Sequence, residues 1–168
     1  MSENSYDLTT MSVDETLRLG ETLGRLLRSG DVLCLSGELG AGKTTLTRGM
    51  ARAWGARENA TSPTFTLVNE YTRTGNTQRF YHMDGYRLSG AVEAQTTAFE
   101  DILDAPGVVV IEWPERIVGI LPDDRLWIDI TRTGEGQRTF ALKPSGDRAT
   151  ELARALADDH SSTSAPAR

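Results

Sequence analysis

Eight consecutive residues combine glycines, a lysine and a threonine in a spacing suited to binding phosphate. In order they are Gly37, Glu38, Leu39, Gly40, Ala41, Gly42, Lys43 and Thr44, which match the pattern G-x-x-x-x-G-K-[ST]. In this pattern the glycines let backbone N–H groups curl around a polyphosphate, the lysine contacts the β and γ phosphates, and the hydroxyl reaches a bridging Mg²⁺. A dinucleotide fingerprint G-x-G-x-x-G is excluded, because Thr45 occupies the position of its third glycine.

The segments on both sides of this loop predict the elements that such a loop requires. Residues 31–36 form a short apolar run typical of a buried strand, and residues 43–54 continue as a helix whose positive end faces the loop. This context favours a phosphate-binding loop over the alternative, a glycine-rich turn with an exposed lysine.

Two acidic residues elsewhere are candidates for metal binding and hydrolysis. Glu112 ends the apolar run 108–111, where a carboxylate can ligate Mg²⁺ together with Thr44. Because Glu is one methylene longer than Asp, it could also act through a water or orient the nucleophile; the structural alternative is a cap for the segment at Pro114. Asp84 follows another strand and could complete the metal shell or polarise a water, with a turn cap as its alternative.

A threonine and a histidine elsewhere in the chain also have a functional and a structural interpretation. Thr64 resembles the mobile threonine that senses the γ phosphate in switch-type nucleotidases, and its alternative is the start of a strand. His82 has no companion at metal-ligand spacing, so a core or hairpin role is favoured over zinc.

Hydrophobic patterning predicts the elements that position these residues. Strands are expected at 6–9, 31–36, 61–72, 77–83, 108–111, 125–131 and 137–142, and helices at 12–28, 43–54, 91–103 and 147–157. We predict a three-layer α/β fold of the P-loop NTPase type, with a mostly parallel central sheet and antiparallel hairpins. It forms one domain over residues 1–157, and the polar tail 158–168 is expected to be disordered.

Composition indicates a cytoplasmic protein without membrane spans or disulfides. Eighteen Lys and Arg against 24 Asp and Glu give a net charge of −6, which is unfavourable for gripping nucleic acid without a partner. Cys34 is the single cysteine, so no internal disulfide can form. The first residues lack the pattern of a signal peptide, and no apolar run approaches the roughly 20 residues of a membrane helix.

Four sequence blocks follow one another at compact spacing: residues 37–45, 62–67, 81–88 and 111–115. Together they resemble the TsaE family, the bacterial ATPase subunit of the machinery that makes tRNA threonylcarbamoyladenosine, and the resemblance covers residues 12–142. It implies an ATPase that binds ATP with Mg²⁺ and hydrolyses it slowly. Its partners would be a threonylcarbamoyltransferase and that enzyme's non-catalytic paralogue, which modify adenosine 37 of tRNAs reading ANN codons.

The resemblance also implies residue roles by motif position. Lys43 and Thr44 keep their loop roles, Glu112 becomes a Mg²⁺ ligand, and Asp84 and Thr64 become residues needed for hydrolysis.

Three further residues are assigned to the nucleotide site by the resemblance. Trp113 would lie beside the phosphates, and a looser alignment places the base near Val13 and Arg138. The chain departs from the family at Gly85, where the family has Leu, and at Ala98, where it usually has Gly; both lie where partner contacts are expected.

Two other functions share the same loop. A small-molecule or nucleoside kinase would usually carry an arginine-rich lid, whereas the arginines here are scattered. A non-hydrolysing, nucleotide-dependent binding module would bind ATP without releasing phosphate. The pattern does not distinguish ATP from GTP.

Overall fold

A central sheet is the framework of the protein. In the computed structural model, which describes residues 4–63, 68–88 and 92–164, its strands are β1 (Tyr6–Thr10), β2 (Val32–Ser36), β3 (Val68–Thr72), β4 (Arg79–Asp84), β5 (Gly107–Glu112), β6 (Arg125–Arg132) and β7 (Arg138–Ser145). They lie in the order β1-β7-β6-β2-β5-β4-β3. The four inner strands from β6 to β4 are parallel, and antiparallel pairs extend the sheet at both edges.

Helices cover both faces of this sheet. They are α1 (Val13–Leu26), α2 (Lys43–Trp54), α3 (Gly85–Leu88), α4 (Val92–Asp104) and α5 (Asp147–Ser164), with 3-10 turns at Pro114–Arg116 and Val118–Ile120. Strand β5 shows the layering, since Val108 and Val110 pack into the core under α1, α2 and α5, while Val109 and Ile111 pack into the core on the opposite face. The predicted three-layer α/β fold is therefore confirmed.

Helices α1 and α2 touch through their backbones. A Cβ atom added to Gly20 would lie 2.4 Å from the carbonyl oxygen of Leu46, and one added to Gly49 would lie 2.3 Å from that of Leu17. Real Cβ atoms do not approach backbone atoms this closely, so both positions require glycine. The contact holds α2, the helix that begins at the loop, firmly against α1.

Most predicted elements are confirmed, with shifted ends. Of the strand predicted at 61–72, the structure shows Val68–Thr72; residues 61–63 have no regular structure, and residues 64–67 lie outside the described part. Ser12 caps α1, since its hydroxyl accepts the N–H of Glu15 at 3.1 Å. None of the described helices combines the length and apolar character needed to cross a bilayer.

The end of the last helix differs from the prediction. Helix α5 continues to Ser164 instead of ending near residue 157, so the disorder expected from residue 158 is wrong for residues 158–164. His160 explains part of this extension, because its Nε2 lies 3.1 Å from the carbonyl oxygen of Thr9 in β1. A contact between residues so far apart in the chain leaves no local pattern in the sequence.

The glycine contact between α1 and α2 generates a stability prediction. Alanine normally stabilises a helix relative to glycine by roughly 1 kcal/mol, but Gly20→Ala is expected to lower the free energy of unfolding by about 1–3 kcal/mol, because α1 and α2 must move apart. Urea unfolding measures the change. Gly119→Ala is the control, since a Cβ there would meet nothing within 4 Å. A Gly20→Ala variant as stable as the wild type would contradict the contact.

Candidate functional site

The candidate residues meet in a cleft of about 340 Å³ beyond the carboxyl ends of β2, β4 and β5. Its lining consists of Leu39, Gly40, Gly42, Lys43, Thr44, Thr45, Ser62, Pro63, Asp84, Glu112, Trp113 and Arg138. The sheet thus brings together residues that are up to about a hundred positions apart in the chain.

Four of the other predicted residues are described by the structure and are not part of this lining. Gly37, Glu38 and Ala41 line a neighbouring cleft of about 610 Å³ on the other side of the loop. Val13 is 60% exposed in the first turn of α1 and is not part of the lining of the 340 Å³ cleft as described. Thr64 lies outside the residues that the structure describes.

The loop owes its shape to its glycines. Gly40 and Gly42 have φ angles of 81° and 113°, in the left-handed region that other residues rarely adopt. Gly42 is also the residue before the first turn of α2, so the free N–H groups of that turn point toward the cleft. This geometry provides the amide-lined hollow that the motif predicts.

Lys43 is buried at 6% exposure and reaches back across the loop. Its Nζ donates a hydrogen bond of 2.6 Å to the carbonyl oxygen of Gly37 and lies 3.7 Å from the centre of the Trp113 ring. Burial lowers the pKa of Lys43, while three nearby carboxylates, Glu112 foremost, oppose this effect and favour the charged form. The ammonium group is therefore held inside the cleft by a carbonyl, an aromatic face and negative charge.

Thr44 and Glu112 are brought into contact by the pairing of β2 with β5. Leu35, just before the loop, lies opposite Glu112, and the Thr44 hydroxyl donates to Glu112 Oε1 at 3.3 Å. The same hydroxyl lies 2.6 Å from the hydroxyl of Ser62. Ser62 was missed as a site residue, because only its place beside Pro63 in a motif block pointed to it.

Glu112 is a buried carboxylate with stabilised charge. Burial would raise its pKa, but the contacts with His82, the charge of Lys43 and the Thr44 hydroxyl outweigh burial, so that the pKa of Glu112 is lowered. The group is accordingly ionised at neutral pH. It can act as a ligand for a cation without first losing a proton.

Asp84 lies beside Glu112 on the neighbouring strand. The two residues are opposite each other in the register of β4 and β5. Asp84 Oδ1 accepts the N–H of Tyr86 at 3.0 Å, and Oδ2 lies 3.5 Å from Nε of Arg87. The turn-capping role considered as an alternative is therefore present, and it fixes the carboxylate at the edge of the cleft.

Trp113 connects β5 to the cleft through an unusual backbone. Its φ angle of 55° is the only positive value at a non-glycine residue in the described part of the chain, and such conformations concentrate at functional sites. A Cβ on Gly85 would lie 2.4 Å from the Trp113 carbonyl oxygen. The glycine at position 85 thus lets α3 pack directly on this turn.

Arg138 acts on the loop from β7. Its Nε donates to the carbonyl oxygen of Ala41 at 2.7 Å, and its Nη2 donates to that of Gly40 at 3.3 Å. Arg138 lines the cleft, and its guanidinium contacts backbone carbonyls of the loop and of Gln137. The contact with a base stays a prediction.

The oxygen donors fit a hard divalent cation. Within the described residues, no group of three or more His, Cys, Asp and Glu side chains could hold a metal ion. The Thr44 hydroxyl and the Glu112 carboxylate, 3.3 Å apart, supply two adjacent oxygen ligands. This partial shell suits Mg²⁺, which usually takes its other ligands from substrate phosphates and water.

Comparisons with known proteins give a consistent result. Residues 10–140 match the family model described as "Threonylcarbamoyl adenosine biosynthesis protein TsaE". The chain is similar to two proteins named "tRNA threonylcarbamoyladenosine biosynthesis protein TsaE". That of Streptomyces coelicolor is 45% identical, with 77% of this chain and 90% of that protein covered. That of Bacillus subtilis is 35% identical, with 88% and 90% covered.

The fold is similar to a solved structure as well. The crystal structure of Bacillus subtilis YdiB superposes with a TM-score of 0.75 at 32% identity, and the match covers 95% of this chain and 98% of that one. Sequence and structure comparisons therefore agree over nearly the whole chain.

The contacts of Arg138 predict how stable the loop is. Arg138→Met keeps much of the side-chain stem but removes the donors to two loop carbonyls, so amide hydrogen exchange in residues 37–42 should become at least about tenfold faster. Mass spectrometry of exchanged peptides measures this. Arg132→Met is the matched control, because Arg132 is exposed and lies opposite Arg138 in the register of β6 and β7. Equal exchange rates in both variants would contradict stabilisation of the loop by Arg138.

Proposed function

The chain belongs to the TsaE family, and from this premise we propose that it is a Mg²⁺-dependent ATPase of tRNA threonylcarbamoyladenosine biosynthesis. It would bind and slowly hydrolyse ATP and support formation of the threonylcarbamoyl group on adenosine 37 of tRNAs reading ANN codons. The observation that carries the proposal is the single cleft in which Lys43 and Thr44 of the loop face Glu112.

Binding of the triphosphate is the task of the loop. The amides around Gly40 and Gly42 would surround the phosphates, and the dipole of α2 favours negative charge at this point. Lys43 would exchange the Gly37 carbonyl, which accepts its 2.6 Å hydrogen bond, for phosphate oxygens. Trp113 would then lie beside the β and γ phosphates, because its ring already lies against the ammonium group.

Other residues around the proposed phosphate site would support hydrolysis. Thr44 and Glu112 would hold Mg²⁺, which neutralises charge that develops on the phosphates when it is bound. Asp84, whose Oδ1 accepts the N–H of Tyr86, would orient or polarise the attacking water. Thr64 is proposed to sense the γ phosphate on the basis of the family resemblance alone.

Slow hydrolysis by the isolated chain has a physical reason. Arg138 is the arginine that lines the described cleft, and its guanidinium is directed at loop carbonyls. An arginine directed at the γ phosphate can contribute roughly 10³–10⁵ in rate. A partner that supplies such a group, or rearranges Arg138, would accelerate hydrolysis.

The proposed partners are the threonylcarbamoyltransferase and its non-catalytic paralogue, in the cytoplasm. With a net charge of −6, the chain is poorly suited to hold tRNA by itself, so tRNA would be reached through that complex.

Phosphate release from ATP is the direct test. The chain alone should release phosphate slowly, and adding the purified transferase pair with tRNA should raise the rate by at least roughly tenfold. Lys43→Ala should abolish release in both conditions while the far-ultraviolet circular dichroism is unchanged. Tight binding of ATP without phosphate release in the complete mixture would contradict hydrolysis and favour a nucleotide-dependent binding module.

Substitution of Glu112 should affect Mg²⁺-dependent hydrolysis much more than the binding of ATP. Glu112→Ala is expected to lower Mg²⁺-dependent hydrolysis by roughly a hundredfold, because a metal ligand is lost, with only a small change in the affinity for ATP measured calorimetrically in EDTA. Glu115→Ala is the control, since Glu115 is exposed and also lies near Lys43. Equal losses of hydrolysis and of metal-free binding would refute the metal assignment.

A further inference from the structure

His82 is a buried polar side chain that the proposed reaction does not use. It is completely buried, and neither of its ring nitrogens has a hydrogen-bond partner among the described residues. Buried polar groups are nearly always paired, so an imidazole without partners at such a place requires an explanation.

The position of His82 in the sheet directs it toward the candidate site. It lies opposite Val110 in the register of β4 and β5, and Asp84 lies opposite Glu112 two residues further on. Since side chains alternate along a strand, all four face the same side of the sheet. His82 Nε2 lies 3.6 Å from Glu112 Oε1, just beyond hydrogen-bonding distance.

Packing alone does not account for a histidine here. Phe80, two residues earlier on the same face, is fully buried in the core under α2. An apolar side chain at position 82 would extend that core without leaving two nitrogens unpaired. Packing therefore does not require an imidazole here, and the nearest acceptor that the structure shows for its Nε2 is the Glu112 carboxylate.

We propose that His82 is a positioning residue for Glu112, acting through the Glu112 carboxylate and not on substrate. An approach of about 0.6 Å would turn the 3.6 Å contact into an ordinary hydrogen bond from Nε2–H to Oε1. Thr44 already donates to the same oxygen. With Oε1 held by two donors, the orientation of the Glu112 carboxylate beside the Thr44 hydroxyl would be fixed.

This inference rests on the proposed function, since it assumes that Glu112 holds Mg²⁺. Groups that hydrogen-bond a metal ligand typically contribute 10- to 100-fold in metal affinity. The inference therefore concerns the affinity for Mg²⁺ in the nucleotide complex, a quantity that can be measured without turnover.

Three substitutions of His82 test it. His82→Gln places an amide donor near the position of Nε2, His82→Asn places one near Nδ1, and His82→Leu has no donor. The measurement is the Mg²⁺ concentration that half-saturates binding of a non-hydrolysable ATP analogue, determined by calorimetry. His82→Leu and His82→Asn should raise this concentration about tenfold, His82→Gln should stay close to the wild type, and affinity for the analogue in EDTA should not change.

Phe80→Leu is the packing control and should lower the melting temperature without changing the Mg²⁺ requirement. If His82→Leu does not fold, the comparison of His82→Gln with His82→Asn still tests the positioning role, because both side chains are polar and differ in where the donor lies. Equal Mg²⁺ requirements in these two variants would overturn the positioning role.

Glu112→Ala distinguishes the two proposals. If it raises the Mg²⁺ requirement while His82→Leu and His82→Asn do not, only the role of His82 is wrong. If Glu112→Ala itself leaves the Mg²⁺ requirement unchanged, the metal assignment of the proposed function fails, and the role of His82 fails with it.

Discussion

The register of three parallel strands is the constraint on which the site depends. Leu35 of β2 lies opposite Glu112 of β5, and Glu112 lies opposite Asp84 of β4. The loop begins directly after Ser36, the last residue of β2. The Lys43 ammonium group and the Thr44 hydroxyl therefore lie beside the same strand ends. A slip of one residue in β5 would turn Glu112 toward the other face of the sheet. Gly107 favours this register, because it lies opposite Arg79 of β4, where an added Cβ would clash with the Arg79 carbonyl oxygen.

The local part of this arrangement could be predicted from the sequence. The strand, loop and helix around Gly37, the apolar run before Glu112 and the strand pairs of the two hairpins all depend on neighbouring residues, and the structure confirms these elements. The cleft could also be anticipated, because the carboxyl ends of parallel strands meet at one edge. The roles of Glu112, Asp84 and Thr64 in hydrolysis and metal binding stay predictions.

The features that sequence reasoning missed involve residues distant in the chain. Arg138 reaches the loop carbonyls across about a hundred positions, and His160 reaches β1 from a helix end that appeared too polar to pack. Gly20 and Gly49 look like weak helix positions until their backbones are seen in contact. Periodicity and propensity describe what one element prefers, whereas these contacts depend on which elements become neighbours.

Two cationic side chains help to hold the backbone of the loop in shape. Lys43 is hydrogen-bonded to the Gly37 carbonyl, and Arg138 is hydrogen-bonded to the carbonyls of Gly40 and Ala41. Both cations thereby bind carbonyl oxygens of the loop backbone, while the N–H of Ala41 donates to the carbonyl of Glu38 within the loop at 3.0 Å. On the proposed function, a phosphate that binds Lys43 would have to compete with the Gly37 carbonyl, which accepts a 2.6 Å hydrogen bond from its ammonium group. Because Nζ also lies 3.7 Å from the centre of the Trp113 ring, such binding would be coupled to a movement of Lys43 relative to Trp113.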